Sequence, residues 1–189
     1  MKKLILLSTF ILLSVVGLNA QNDFRKMNWG ESFEVLVEKY PEVDFEKETV
    51  MGMTAYSHIG YVSGLETRIA YSFIKDEFVA GFYQFTPQRS SYHTKDFVKD
   101  FENISEKLQA KYEMERNDIW YNDKNIDVDY FGIDYYLRDG DVDLKEIGFN
   151  EGTMIAHALT NSEGEITHIL MYATGELIDN LDSSLEDDF

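Results

Sequence analysis

The chain has no cysteine among its 189 residues. That excludes a disulfide framework, a thiolate-bound zinc or iron–sulfur site, a cysteine nucleophile and a lipid anchor attached through a thiol. Cations are scarce as well: 17 Lys and Arg stand against 35 Asp and Glu, for a formal net charge of −18. Nucleic-acid binding needs a basic patch that neutralises phosphates, and this chain has few cations from which to build one. After the first twenty residues no apolar run approaches membrane-spanning length. What remains is an acidic chain rich in Tyr and Phe, long enough for one generous core or for two small subdomains sharing one.

The amino-terminal segment reads as a leader. Lys2 and Lys3 form a short positive region, Leu4 to Val16 is apolar apart from Ser8, Thr9 and Ser14, and Ala20 precedes the polar run Gln21-Asn22-Asp23. That order predicts a secretory signal peptide cleaved after Ala20, or after Gly17. With no cysteine to lipidate, the expected product is exported to the periplasm or medium and released, with no membrane anchor.

In the mature chain, Phe33, Leu36, Val37 and Tyr40 recur at helical spacing behind Ser32 as N-cap, and Pro41 closes the segment. Strands are expected over 49–57, 65–73 and 78–85, with 58–64 as a glycine-punctuated connection. The clearest helix runs from Thr94 to Tyr112, where Phe97, Phe101, Ile104 and Leu108 form an inward stripe opposite a charged side. Tyr130 to Leu137 fits a strand or a short helix. An antiparallel meander follows over 142–149, 153–160 and 166–173, and from Glu176 the chain turns acidic. The expected fold class is α+β: two tandem units, 24–90 and 91–175, each a helix with an antiparallel meander, then an acidic flexible tail over 176–189.

Trp29-Gly30, Ser32, Glu34 and Leu36 make a Trp-Gly-x-Ser-x-Glu-x-Leu pattern. A Tyr-x-Phe strand at Tyr71-Ser72-Phe73 and the pair Lys111-Tyr112 follow it. Together these resemble uncharacterised secreted proteins of Bacteroidetes-type and some Firmicutes bacteria. Those are built as tandem small α+β units similar to the β-lactamase-inhibitor-protein and outer-membrane-assembly-lipoprotein fold groups. The resemblance covers roughly residues 24 to 173. It implies a binding or scaffold role and brings no catalytic residues with it.

Candidate site residues come from three groups. If residues 161–164 form the loop of a simple hairpin, Thr160 faces Glu165 and His157 stands directly opposite His168. The two rings would then be close enough to share a metal ion if a carboxylate joined them. Their neighbours Ile155, Leu159, Ile166, Leu170 and Tyr172 instead make this the buried face, so packed, hydrogen-bonded histidines are the first expectation. His58 and His93 read as surface loop residues. Asp139, Asp141 and Asp143 alternate as cation ligands would, yet Leu144 and Asn150 stand where an EF-hand needs Gly and Glu. The bland alternative is a polar turn with Asp141 and Asp143 on the solvent side of a strand. Of the many aromatics, Tyr83, Tyr135 and Tyr136 are the expected exposed binding residues. No serine–base–orienter set is recognisable, and Ser105 has no evident partner. The expected function is non-catalytic binding or scaffolding in the cell envelope, with an envelope protein or glycan as partner and no cofactor. The alternatives are a hydrolase using a carboxylate or the His pair, and a cation-binding envelope protein.

Overall fold

The structure is a computed structural model and describes residues 23–50, 52–87, 93–120, 132–175 and 177. The expected leader and nearly all of the acidic segment lie outside these residues. Helix α1 (Phe33–Lys39) is followed by strands β1 (Glu46–Val50), β2 (Met53–Val62), β3 (Leu65–Ile74) and β4 (Glu77–Phe85). Helix α2 (Thr94–Gln109), β5 (Met114–Trp120), α3 (Ile133–Arg138), β6 (Val142–Asn150), β7 (Thr153–Ser162) and β8 (Glu165–Thr174) complete the order. The segment at Tyr130 to Leu137 is thus helical over its described part. The expected strand 49–57 is broken at Gly52 (φ +80°), a residue free to adopt the left-handed turn between β1 and β2. The expected connection 58–64 is mostly strand.

Four of the five hairpins share one turn geometry. Ser63-Gly64, Lys75-Asp76, Glu151-Gly152 and Glu163-Gly164 each place two successive residues at positive φ. Such two-residue turns match the right-handed twist of the strands they join. The Asp76 turn does a second job: its Oδ1 accepts the Phe33 N–H at 3.3 Å and caps α1, whereas the Ser32 side chain makes no cap bond.

All the described strands belong to one antiparallel sheet, in the order β1-β2-β3-β4-β8-β7-β6-β5. The two meanders expected from the sequence are not separate sheets: β4 pairs with β8 from Ala80↔Ala173 to Phe85↔His168, so two free edges are consumed at one seam. All three helices pack on the same face. Phe33 of α1 stacks on Tyr56 at 3.7 Å, Leu36 is buried, and Phe24, Met27 and Trp29 fill in beside them over Tyr71 and Phe78. A Cβ at Gly81 would fall 2.3 Å from the Phe24 ring, so only glycine lets this segment seat. The stripe Phe97, Phe101, Ile104 and Leu108 of α2 is buried, as its periodicity predicts. Ile104 and Leu108 join Phe85, Ile155 and Leu170 at the seam, and Phe101 joins Leu137, Leu144 and Leu159. The opposite face is covered by no described helix. There Ala70, Phe82, Met171, Ala156 and Ile147 stand side by side across five strands.

Candidate functional site

Beneath α2 the core holds a continuous polar chain. The Glu151-Gly152 turn makes Glu146 of β6 the direct partner of His157 on β7. His157 pairs with Leu170 and His168 with Leu159, so the histidines are diagonal neighbours and not the directly opposed pair expected. The reason is the turn: it uses only Glu163 and Gly164, the ladder continues to Ser162↔Glu165, and every pairing shifts by two residues. A two-residue shift keeps both rings on one face.

The rings meet. His157 Nε2 lies 2.9 Å from His168 Nε2, and His157 Nδ1 lies 3.2 Å from Glu146 Oε2. From α2, the Ser105 hydroxyl donates to Glu146 Oε1 in a short bond, and the Gln109 amide donates to the same oxygen and to Ser105 Oγ, both at 3.2 Å. Phe101 stacks on His157 at 4.0 Å, and Phe85 lies 4.5 Å from His168. Ser105, Glu146, His157 and His168 are all buried.

The protonation logic follows from these partners. A carboxylate only accepts, so His157 donates from Nδ1 and one proton lies between the two Nε2 atoms. Burial, and then the neighbouring His157, depress the His168 imidazole to about 3, so His168 is neutral at ordinary pH. Burial alone would raise the Glu146 carboxyl, but hydrogen bonds from His157 and Ser105 hold it below its usual value, so Glu146 is ionised. The arrangement can therefore hold a proton along a line from α2 to β8, with both histidines buried.

The remaining candidates are dispersed. Among the described residues no three His, Asp or Glu side chains converge where a metal ion could sit. Asp139 pairs with its neighbour Arg138 at 3.0 Å. Asp143 is buried and paired with Lys145 at 3.0 Å, and so is not the solvent-facing residue expected. Tyr135 is 38% exposed, whereas Tyr136 is 8% exposed and packs into the core under α2. Tyr83 is half-buried beneath Arg25, whose guanidinium carbon sits 5.9 Å from the ring centroid. These three tyrosines do not form one surface.

His58 is also not a loop residue: it sits in β2, stacked on Tyr71, and burial lowers its pKa. His58 Nε2 and the Tyr40 and Tyr71 hydroxyls are buried with no hydrogen-bond partner among the described residues. His93 is exposed at the start of α2, where its N–H donates to Asp96 at 2.9 Å.

Sequence reasoning missed Glu146. The signal was there, because a two-residue turn at Glu151-Gly152 forces Asn150↔Thr153, and counting back brings Glu146 to His157. Compared with known proteins, the chain matches no family model, no curated protein and no solved structure.

Proposed function

We propose that this is an exported, non-catalytic binding or scaffold protein of the bacterial cell envelope, built as two tandem helix-and-meander units that share one sheet. The unit boundaries are those read from the sequence, near residue 90, and the leader is removed after Ala20 or Gly17. In this reading the protein is akin to the secreted α+β proteins that its Trp-Gly-x-Ser-x-Glu-x-Leu segment resembles, and its partner is an envelope protein or glycan.

The observation that carries the reading is the set of exposed apolar side chains on the sheet face that no described helix covers. Tyr61 (69% exposed) and Ile59 (60%) stand at one end of it, and Phe149 (67%) and Ile147 (41%) at the other. Exposed aromatics flanking a row of Ala70, Phe82, Met171 and Ala156 are the usual raw material of protein and glycan contacts. A hydrolase would need Ser105, Glu146 or His157 to meet a substrate, and their burial between α2 and the sheet favours binding over hydrolysis.

The test is retention of purified mature protein by isolated envelope fractions. Tyr61→Ala with Phe149→Ala should abolish retention while leaving the urea melt unchanged. Retention that survives both changes overturns the sheet-face reading. An intact mass that still includes Met1 to Ala20 in the exported product overturns the leader.

A further inference from the structure

The helix-covered face carries a second polar cluster, beside α1. Phe24 and Met27 are buried, and each donates its N–H to the other's carbonyl, at 3.1 and 2.9 Å. The residues between them, Arg25 (φ +55°) and Lys26, therefore form the tip of a tight turn whose base is fixed in the core. Both tip residues are exposed. Lys39, Arg68, Arg138 and Lys145 each hold a carboxylate. Arg25 and Lys26 instead stand over tyrosines: the guanidinium carbon is 5.9 Å from the Tyr83 ring centroid, and Lys26 Nζ is 4.9 Å from that of Tyr40. Among the described residues no carboxylate pairs with either. In a chain with 35 acids and 17 bases, two adjacent cations left without an acid call for an explanation.

Next to this turn the rings of Tyr40, His58 and Tyr71 form a triangle, with centroids 5.8, 6.2 and 6.4 Å apart. The unpartnered Tyr40 and Tyr71 hydroxyls and His58 Nε2 belong to it, and Tyr71 is fully buried. The two hydroxyls face each other without closing a hydrogen bond. Buried polar atoms in that condition carry a desolvation cost that a bound polar group removes. Arg25 acts on the whole triangle. Burial raises the Tyr71 hydroxyl and lowers the His58 imidazole; the guanidinium pulls the first back down and the second further down, and it also faces the Tyr40 hydroxyl.

The cluster holds several donors and one acceptor. His58 Nδ1 lies 3.1 Å from the Ile59 carbonyl, so in the neutral ring Nδ1 carries the proton and Nε2 offers a lone pair. Tyr40 and Tyr71 each offer an O–H, and Arg25 and Lys26 offer N–H groups. A carboxylate or a sulfate accepts from such donors but has no proton to give His58 at neutral pH. A phosphate ester sheds its last proton around pH 6. The free phosphate ion keeps one through the neutral range, so it alone of these both accepts and donates.

We infer that the Arg25-Lys26 turn and the Tyr40–His58–Tyr71 triangle form a binding site for free hydrogen phosphate. Arg25 and Lys26 balance its charge, Tyr40 and Tyr71 donate to its oxygens, and its own O–H donates to His58 Nε2. Tyr40 and His58 are half-buried, so rotation of the two exposed, unbranched cations admits the ion from the surface. The site lies across the sheet from Tyr61 and Phe149 and does not depend on the sheet-face reading.

Isothermal titration of the purified chain with inorganic phosphate at pH 8 should show one site. Arg25→Gln and Tyr71→Phe should each weaken it about tenfold or more, because each removes a donor to a charged group. Arg25 is exposed, so its variant should melt like the unaltered chain. Sulfate and methyl phosphate, neither of which carries a proton at pH 8, should bind about tenfold more weakly than phosphate, and His58→Phe should erase that preference. No saturable phosphate binding overturns the inference, as does binding that survives both Arg25→Gln and Tyr71→Phe. Equal binding of sulfate or methyl phosphate by the unaltered chain overturns it as well, because His58 would then accept nothing from the ion.

Discussion

Acid should loosen this protein through His168, and the size of the effect can be worked from its burial. The imidazole titrates near 3 in the folded chain against 6.5 when free. Between those values the unfolded chain binds a proton that the folded chain refuses. Stability is therefore fully present above 6.5 and falls as pH drops toward 3. At 1.36 kcal/mol per unit, the loss relative to pH 7 is about 2 kcal/mol at pH 5 and about 3 kcal/mol at pH 4. Glu146 acts in the same direction lower down: its folded pKa lies below 4.5, so its contribution is present above 4.5 and disappears as pH falls through the folded value. Set against the 5–15 kcal/mol typical of a whole domain, this is a large share.

The assay must isolate one residue, because the chain carries an excess of acids whose protonation relieves self-repulsion and stabilises the folded state as pH falls. The half-buried His58, also depressed by burial, adds a loss of its own. The comparison is therefore between the unaltered chain and His168→Gln, by urea melts at pH 7, 6, 5 and 4. Glutamine does not titrate, and its amide can still meet His157 Nε2. The variant sets its own baseline at pH 7. The difference between the two chains should narrow or reverse by about 2 kcal/mol at pH 5. If the two stability curves run parallel down to pH 4, His168 is not held neutral by burial and the reasoning fails.

Other outcomes follow from the packing. Phe101→Ala removes a buried ring that also stacks on His157, and should cost about 3–5 kcal/mol in urea melts, whereas Lys99→Ala on the solvated side of α2 should change stability by less than about 0.5 kcal/mol. Gly81→Ala drives a methyl into the Phe24 ring and should cost about 1–3 kcal/mol; in the Phe24→Ala background that penalty should shrink, and a double-mutant cycle with no coupling would refute the contact. Glu146→Gln keeps the shape of the polar chain but removes its charge, so thermal melting at pH 7 should drop clearly while α2 stays helical by circular dichroism.

Which of these features could be read in advance depends on how far each signal travels along the chain. The α2 stripe is local: the spacing of Phe97, Phe101, Ile104 and Leu108 is a property of one helix, and all four side chains are buried. The inner face of β7 and β8 is nearly as local, because alternation within each strand decides it. An error of two residues in the hairpin therefore left His157 and His168 on the correct face but with the wrong partners. The β4–β8 seam is not local at all. Nothing in 77–85 or 165–174 alone says that these strands pair with each other, and that pairing turns two expected meanders into one sheet.

Glu146 lies between these cases, and its position carries a general argument. Val142, Leu144 and Gly148 mark the inner face of β6, and Glu146 interrupts it with a carboxylate. A charge on an inner face is tolerated only where several donors converge on it. Here three do so, from His157 on the neighbouring strand and from Ser105 and Gln109 on the helix above. The carboxylate thus demands one register and one helix position together. Sliding β7 by two residues would remove His157 from Glu146, and rotating α2 by a third of a turn would remove Ser105. A buried acid that breaks an otherwise apolar alternation acts as a constraint on how three elements meet, and Glu146 constrains the helix that closes the seam.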